Sequence, residues 1–162
     1  MELVDLPRSP RERMEIMQLT ANAEYAIRAM VHLAAVPPGT VLSIREIAKV
    51  WEIPESYLRK IVLTLHHSGL VRSERGIAGG INLAKRPDSI TALDVVEAVQ
   101  GPLELKTCVN NPKECGRAPA CSIRFLWGEA QEKVRLALRS HSLAELAEIE
   151  SGARSPHNNR NH

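Results

Sequence analysis

The sequence predicts a mainly α-helical chain with one small β-hairpin. Three observations carry that prediction. Apolar residues recur at helical spacing in several stretches separated by Pro- and Gly-containing breaks. One glycine-rich loop, with Gly76, Gly79 and Gly80, lies between two short alternating segments. All three cysteines fall between Thr107 and Cys121, with the spacing C-x6-C-x5-C. Pro112 and Pro119 in that segment remove backbone donors and fix φ, so it is expected to be a loop and not a helix or strand interior.

The helices follow in order. Residues 1–16 hold Pro7, Pro10 and mixed charge with little periodicity, and read as a flexible arm. The organised pattern begins at Met17, which is a candidate start. Thr20 is placed to cap a helix that begins near Ala21 and carries Ala26, Ala29, Met30 and Leu33 on one face. It stops before Pro37-Pro38-Gly39. Ser43 with Glu46 forms a capping box for a short helix bearing Ile44, Ile47 and Ala48. Trp51 to Pro54 is a turn, with Pro54 in the first turn of a third helix that runs to about Ser68. Leu58, Ile61, Val62 and Leu65 are its buried stripe, and Gly69 suits the residue after its end.

Leu70 to Leu83 reads as the hairpin, with Arg75 beside Gly76 at its tip. Two short helices, a tight turn and a following hairpin make a winged helix-turn-helix over residues 17–86. Residues 87–107 hold a connector and a short helix, capped by Thr91 with Asp94 and ended by Gly101-Pro102. The cysteine loop spans 108–121. A long helix follows, with Ile123, Leu126, Trp127, Ala130, Val134, Ala137 and Leu138 on one face. Ser142 with Glu145 opens a last helix through Ile149. Residues 122–151 are therefore expected to be dimerisation helices, and 152–162 a disordered tail.

Composition narrows the function. With 44% hydrophobic and 25% charged residues the chain is an ordinary globular protein. No apolar run approaches the ~18 residues that span a membrane, so no membrane partner is expected. Asp5, Glu12 and Glu15 interrupt the N-terminus and no apolar segment follows, so no signal peptide is expected and the chain is expected in the cytoplasm. Thiols there stay reduced, and an odd number of cysteines favours a ligand or redox role over a disulfide framework. Residues 17–86 hold nine Lys and Arg against five Asp and Glu, so the basic surplus sits in the first half. A nucleic-acid partner is the expectation.

On the third helix, Ser56, Tyr57, Arg59, Lys60 and Thr64 lie off the buried stripe. Arg59 is the candidate base reader, because a guanidinium forks onto guanine in the major groove. Lys60 and Arg45 are candidate phosphate contacts, and Ser56 and Tyr57 can reach phosphates or bases. Arg75 is placed to enter a minor groove. Paired half-sites about 34 Å apart favour a homodimer on double-stranded operator DNA. For the cysteines, the C-x2-4-C pairs usual in zinc sites are absent, while an iron–sulfur cluster accepts looser spacing and normally takes four ligands. A cluster-free regulator using its thiols directly, or a zinc-stabilised one, remains open on the residues alone.

The order of winged helix, short helix, three-cysteine loop and long helix resembles the Rrf2 (Rrf-two) family of winged-helix iron–sulfur transcription regulators. The resemblance covers about residues 17–150. It rests on Met17-Gln18-Leu19-Thr20, Glu24-Tyr25-Ala26, Ser56-Tyr57-Leu58, Gly69-Leu70-Val71, Arg75-Gly76 with Gly79-Gly80, and the three cysteines. Pro102-Leu103-Glu104-Leu105 and Pro119-Ala120-Cys121 look most like the nitric-oxide-sensing, NsrR-like branch, beside the IscR-like and RirA-like ones. The resemblance implies a homodimeric transcriptional regulator, expected to repress, with no enzymatic activity. It implies one iron–sulfur cluster per subunit (4Fe–4S or 2Fe–2S), held by Cys108, Cys115 and Cys121, sensing nitric oxide, redox or iron status. It also implies DNA reading around Ser56–Lys60 and minor-groove insertion of Arg75. IscR-like members place a histidine ligand three residues after the last cysteine, where this chain has Arg124. NsrR-like members use an acidic residue at the start of the first helix, in trans, and Glu24 matches it. The six-residue first cysteine gap is longer than in those branches, and Arg59 stands where IscR-like members carry an acid.

Overall fold

The structure, a computed structural model, describes residues 20–76 and 79–153. The expected arm over 1–16, the candidate start at Met17, the Met17-Gln18-Leu19 motif and most of the expected tail lie outside the described residues. The described residues divide into two compact units: one from residue 20 to Leu103 and from Arg135 onward, the other from Glu104 to Val134.

In the first unit, α1 (Ala21–Ala34) begins where the Thr20 hydroxyl accepts from the Ala23 N–H at 3.3 Å. The box at α2 (Ile44–Val50) forms in both directions: the Ser43 hydroxyl accepts from the Glu46 N–H at 3.1 Å, and the Glu46 carboxylate accepts from the Ser43 N–H at 3.0 Å. That backbone donor, with the Ser43 hydroxyl, holds the Glu46 carboxyl below the usual range. Glu52 turns the chain with φ 52°. Pro54 is the N-cap of α3 (Glu55–His67) and stands just outside the helix, one position earlier than expected. Leu58, Ile61, Val62 and Leu65 are all buried, as their spacing predicts. Gly69 takes φ 70°, the left-handed conformation that a chain leaving a helix needs.

The hairpin pairs β1 (Val71–Glu74) with β2 (Gly80–Leu83), antiparallel, with Val71 opposite Leu83 and Glu74 opposite Gly80. The sequence reading missed a third participant. Leu42 bridges Ile81, its N–H donating to the Ile81 carbonyl at 3.0 Å and its carbonyl accepting from the Ile81 N–H at 2.9 Å. This tie fixes the hairpin to the loop before α2. It requires glycine at position 80, where a Cβ would run into the Leu42 carbonyl oxygen and lie 2.7 Å from its carbon. Gly80→Ala is expected to cost about 1–3 kcal/mol through forced displacement of packed backbone. It should also speed hydrogen exchange at the Leu42 and Ile81 amides; unchanged protection at both would contradict the argument.

α4 (Ala92–Gln100) carries the full Thr91/Asp94 box and ends at Gly101 with φ 83°. Its Val95 is fully buried in the same core as Met30, Ile47, Leu58 and Leu65. The last helix, α7 (Leu143–Ala153), belongs to this core as well: Leu143 and Ala147 are buried in it. Strand-like bonds from Ala92 N–H to the His141 carbonyl (2.9 Å) and from Leu143 N–H to the Ile90 carbonyl (2.8 Å) anchor its start. Two expectations are corrected here. The helix continues past Ile149 and Ser151 to Ala153, so residues 152 and 153 are helical and not tail. The Ser142 box is half formed, because Ser142 accepts from the Glu145 N–H while the Glu145 carboxylate faces His141 Nδ1 at 3.1 Å. α7, grouped by sequence with the long helix as a pairing element, buries Leu143 and Ala147 in the first unit and leaves Ile149 exposed.

In the second unit, the cysteine loop is more ordered than its prolines suggest. Cys108 lies within a single-turn helix, α5 (Thr107–Asn110), which corrects the expectation that no cysteine sits in a helix. Pro112 is the first residue of one 3₁₀ turn, Pro112–Glu114, and Pro119 the second of another, Ala118–Ala120, where a missing N–H costs nothing. The long helix α6 (Ser122–Arg139) follows. No helix among the described residues is long and apolar enough to cross a membrane.

Candidate nucleic-acid interface and thiol loop

The burial of α3 on one side leaves a defined polar face on the other. Ser56, Tyr57, Arg59, Lys60 and Thr64 are all exposed. The Tyr57 ring is steadied by Tyr25 of α1, edge to face at 6.1 Å between centroids. Arg59 does not hang free: its Nε and Nη2 donate to Glu55 Oε1 at 3.1 and 2.5 Å. Arg45, on α2, approaches Glu55 Oε2 at 3.5 Å. The structure thus brings the two arginines named from sequence onto one carboxylate. The Arg59 guanidinium, followed by Arg45, holds the Glu55 carboxyl below its ordinary range. Arg75 is exposed at the wing tip next to Gly76, whose φ of 128° suits glycine. Sequence reasoning missed Glu55 and Tyr25. An acid four residues before Arg59 was visible as an i,i+4 pair.

In the thiol loop, Cys108, Cys115 and Cys121 are free and half-buried. Two side chains of α6 hold the first part of the loop. Arg124 Nε donates to the Cys108 carbonyl at 2.8 Å. Gln131, buried, accepts from the Leu105 N–H at 3.0 Å and donates through Nε2 to Asn110 Oδ1 at 2.8 Å. Arg124 therefore has a structural job where the sequence showed only a missing histidine. Gln131 was legible as a polar residue seven positions on, off the apolar stripe. Beside Cys121 lies an open cleft of about 720 Å³ lined by Val109, Ala118, Arg124, Phe125 and Gly128.

The chemistry of this donor set fits an iron–sulfur cluster: three unpaired soft thiols, partly accessible, on short turns that carry few obligatory backbone bonds. Among the described residues, no three His, Cys, Asp or Glu side chains are gathered so as to hold a metal ion, so the loop has to close for that role. Glu24, in the first turn of α1, is half-exposed and pairs with Arg28 at 2.5 Å. Arg28 in turn lies over the Trp51 ring, 5.5 Å from its centroid.

The exposed surface of α6 is unusual for a helix in water. Ile123 (60% exposed), Leu126 (57%) and Trp127 (38%) lie along the stripe that the spacing predicted.

Comparison with known proteins places these features. The profile of the Rrf2 family, described as an iron-dependent transcriptional regulator, matches residues 19–149. The HTH-type transcriptional regulator NsrR of Geobacillus kaustophilus is 38% identical over 140 residues, which cover 86% of this chain and 95% of that protein. Among solved structures, CymR, the global cysteine regulator of B. subtilis, superposes with a TM-score of 0.70 at 29% identity, covering 83% of this chain and 98% of that one. IscR of T. potens does so with a TM-score of 0.70 at 24% identity, covering 85% and 91%, and bears on the fold alone.

Proposed function

The chain belongs to the Rrf2 family and is a DNA-binding transcriptional regulator rather than an enzyme; on that premise we propose that it is a homodimeric repressor that senses nitric oxide, redox or iron status through an iron–sulfur cluster. The observation that carries the DNA half of this reading is the exposed row Ser56, Tyr57, Arg59 and Lys60 on a helix whose other side is wholly buried. Arg59 reads a base edge, Lys60 and Arg45 contact phosphates, and Arg75 reaches into the adjacent minor groove. The apolar stripe of α6 pairs with its twin, which sets two reading helices on successive half-sites.

For the sensing half, Cys108, Cys115 and Cys121 supply three thiolates to one cluster per subunit, and Glu24 of the partner subunit supplies the fourth ligand. A bound cluster would supply a centre reactive toward nitric oxide and oxidants. Arg124 and Gln131 hold the Leu105 and Cys108 backbone and the Asn110 side chain while the loop closes. To serve as a ligand, Glu24 must leave Arg28, which keeps its place over Trp51. A hundredfold change in operator affinity needs about 2.7 kcal/mol of coupling between the two sites.

Anaerobic purification, iron and sulfide assay and native mass spectrometry test the reading together. The expected result is a brown dimer with one cluster per subunit, whose operator binding changes on exposure to nitric oxide or oxygen. Cluster loss without any change in DNA affinity would defeat the sensing claim. One rival is a cluster-free protein that uses its three free thiols directly. It would be colourless under strict anaerobiosis and would change DNA affinity on thiol oxidation alone. One zinc per chain with sequence-independent DNA binding would instead mark a zinc-stabilised module.

A further inference from the structure

Glu55 is the one acidic side chain of α3, and it opens the end of the helix that would meet DNA. An acid there gains from the helix dipole, and an exposed i,i+4 pair adds little to stability. Neither point accounts for a carboxylate that faces two arginines from two helices. It also stands close to where phosphates would lie, where a negative charge opposes binding.

The bonding pattern gives it a use. Glu55 Oε1 takes the Nε and Nη2 hydrogens of Arg59, which is the side edge of the guanidinium. The end edge, Nη1 with the outer hydrogen of Nη2, is left pointing away from the carboxylate. That end edge is the fork that guanine O6 and N7 accept. An unrestrained arginine samples many rotamers, and a bidentate contact is discriminating only when its fork is held. Oε2 faces Arg45 at 3.5 Å, so the same carboxylate ties a phosphate-directed arginine of α2 to the base-directed arginine of α3. Arg59 is 60% exposed and Arg45 83% exposed, so both can reach outward while the carboxylate, at 32%, lies between them.

We infer that Glu55 is a positioning residue for base recognition, which fixes the Arg59 guanidinium so that it discriminates one base pair of the operator half-site. The inference rests on the DNA-reading role proposed above for Arg59. Its physical signature is a split: removing Glu55 weakens the preferred sequence while leaving random DNA equal or tighter, because a charge that repels phosphate has gone.

The test begins with selection of preferred duplexes from a randomised pool by the wild-type dimer. Binding of the selected duplex, its single-base variants and random duplex is then measured for wild type, Glu55→Ala, Glu55→Gln and Arg59→Ala, with thermal melting as a control on folding. Glu55→Ala is expected to lose about tenfold in discrimination at one base pair, the pair relaxed by Arg59→Ala, with random-duplex affinity equal or raised. Glu55→Gln, which keeps an acceptor for Arg59, should retain part of that discrimination. The inference is overturned if Glu55→Ala weakens selected and random duplexes alike, keeps full discrimination, or relaxes a different base pair. If Arg59→Ala relaxes no position, the reading of Arg59 itself fails, which is a separate and recognisable outcome.

Discussion

Leu58→Ala is expected to remove a large part of the protein's margin of stability. Leu58 is fully buried on α3, in one core with Met30, Ile47, Leu65 and Val95. Truncation of a buried leucine costs about 2–5 kcal/mol, transfer and cavity together. Whole domains are held by about 5–15 kcal/mol. With a urea slope of about 1–3 kcal/mol per molar, the unfolding midpoint should fall by roughly 1–2 M. The effect is local to the reading helix, since Leu58 lies between Tyr57 and Arg59 in sequence and anchors the turn that presents them. A midpoint within about 0.3 M of wild type would mean that the core around α3 is looser than its burial implies.

The largest functional effect is expected from Leu126→Glu. Leu126 lies in the exposed apolar stripe of α6 with Ile123 and Trp127. At 57% exposure, a glutamate there should leave the fold of one chain intact. In a paired stripe it places a carboxylate in an apolar contact, which strongly disfavours association. Light scattering should report a dimer for wild type and a monomer for the variant. Operator affinity should fall by about a hundredfold or more, because the second half-site is no longer held at high effective concentration. A Leu126→Glu protein that remains dimeric and binds operator normally would place the pairing surface elsewhere.

These two positions also show what was legible before the fold was known. Leu58 and Leu126 are the same residue type, each on a helical stripe, and spacing alone marked both. Spacing did not distinguish a stripe that is covered within the chain from one that is left open. The same limit applies to α7, whose short apolar pattern does not announce the backbone bonds at Ile90 and Ala92 that anchor its start. The candidate site divides in a similar way. Ser56, Tyr57, Arg59 and Lys60 could be named because the residues between them had to be buried. The partners of Arg124, Gln131 and Leu42 could not, because each acts on backbone groups far away in sequence.

By itself, then, the sequence determined what is local or periodic in this protein. It set the helix caps at Thr20, Ser43 and Thr91, the breaks at Pro37 and Gly101, the buried stripe of α3, the hairpin and the grouping of three thiols. Caps and stripes depend on residues three or four apart, so the chain carries them wherever it goes. Only the tertiary structure decided that Arg45 of α2 joins the Glu55–Arg59 pair, that Leu42 locks the wing, and that Arg124 grips the cysteine loop. Each of those is a contact between segments whose meeting depends on how the whole core closes, and a charge or a carbonyl does not advertise its distant partner.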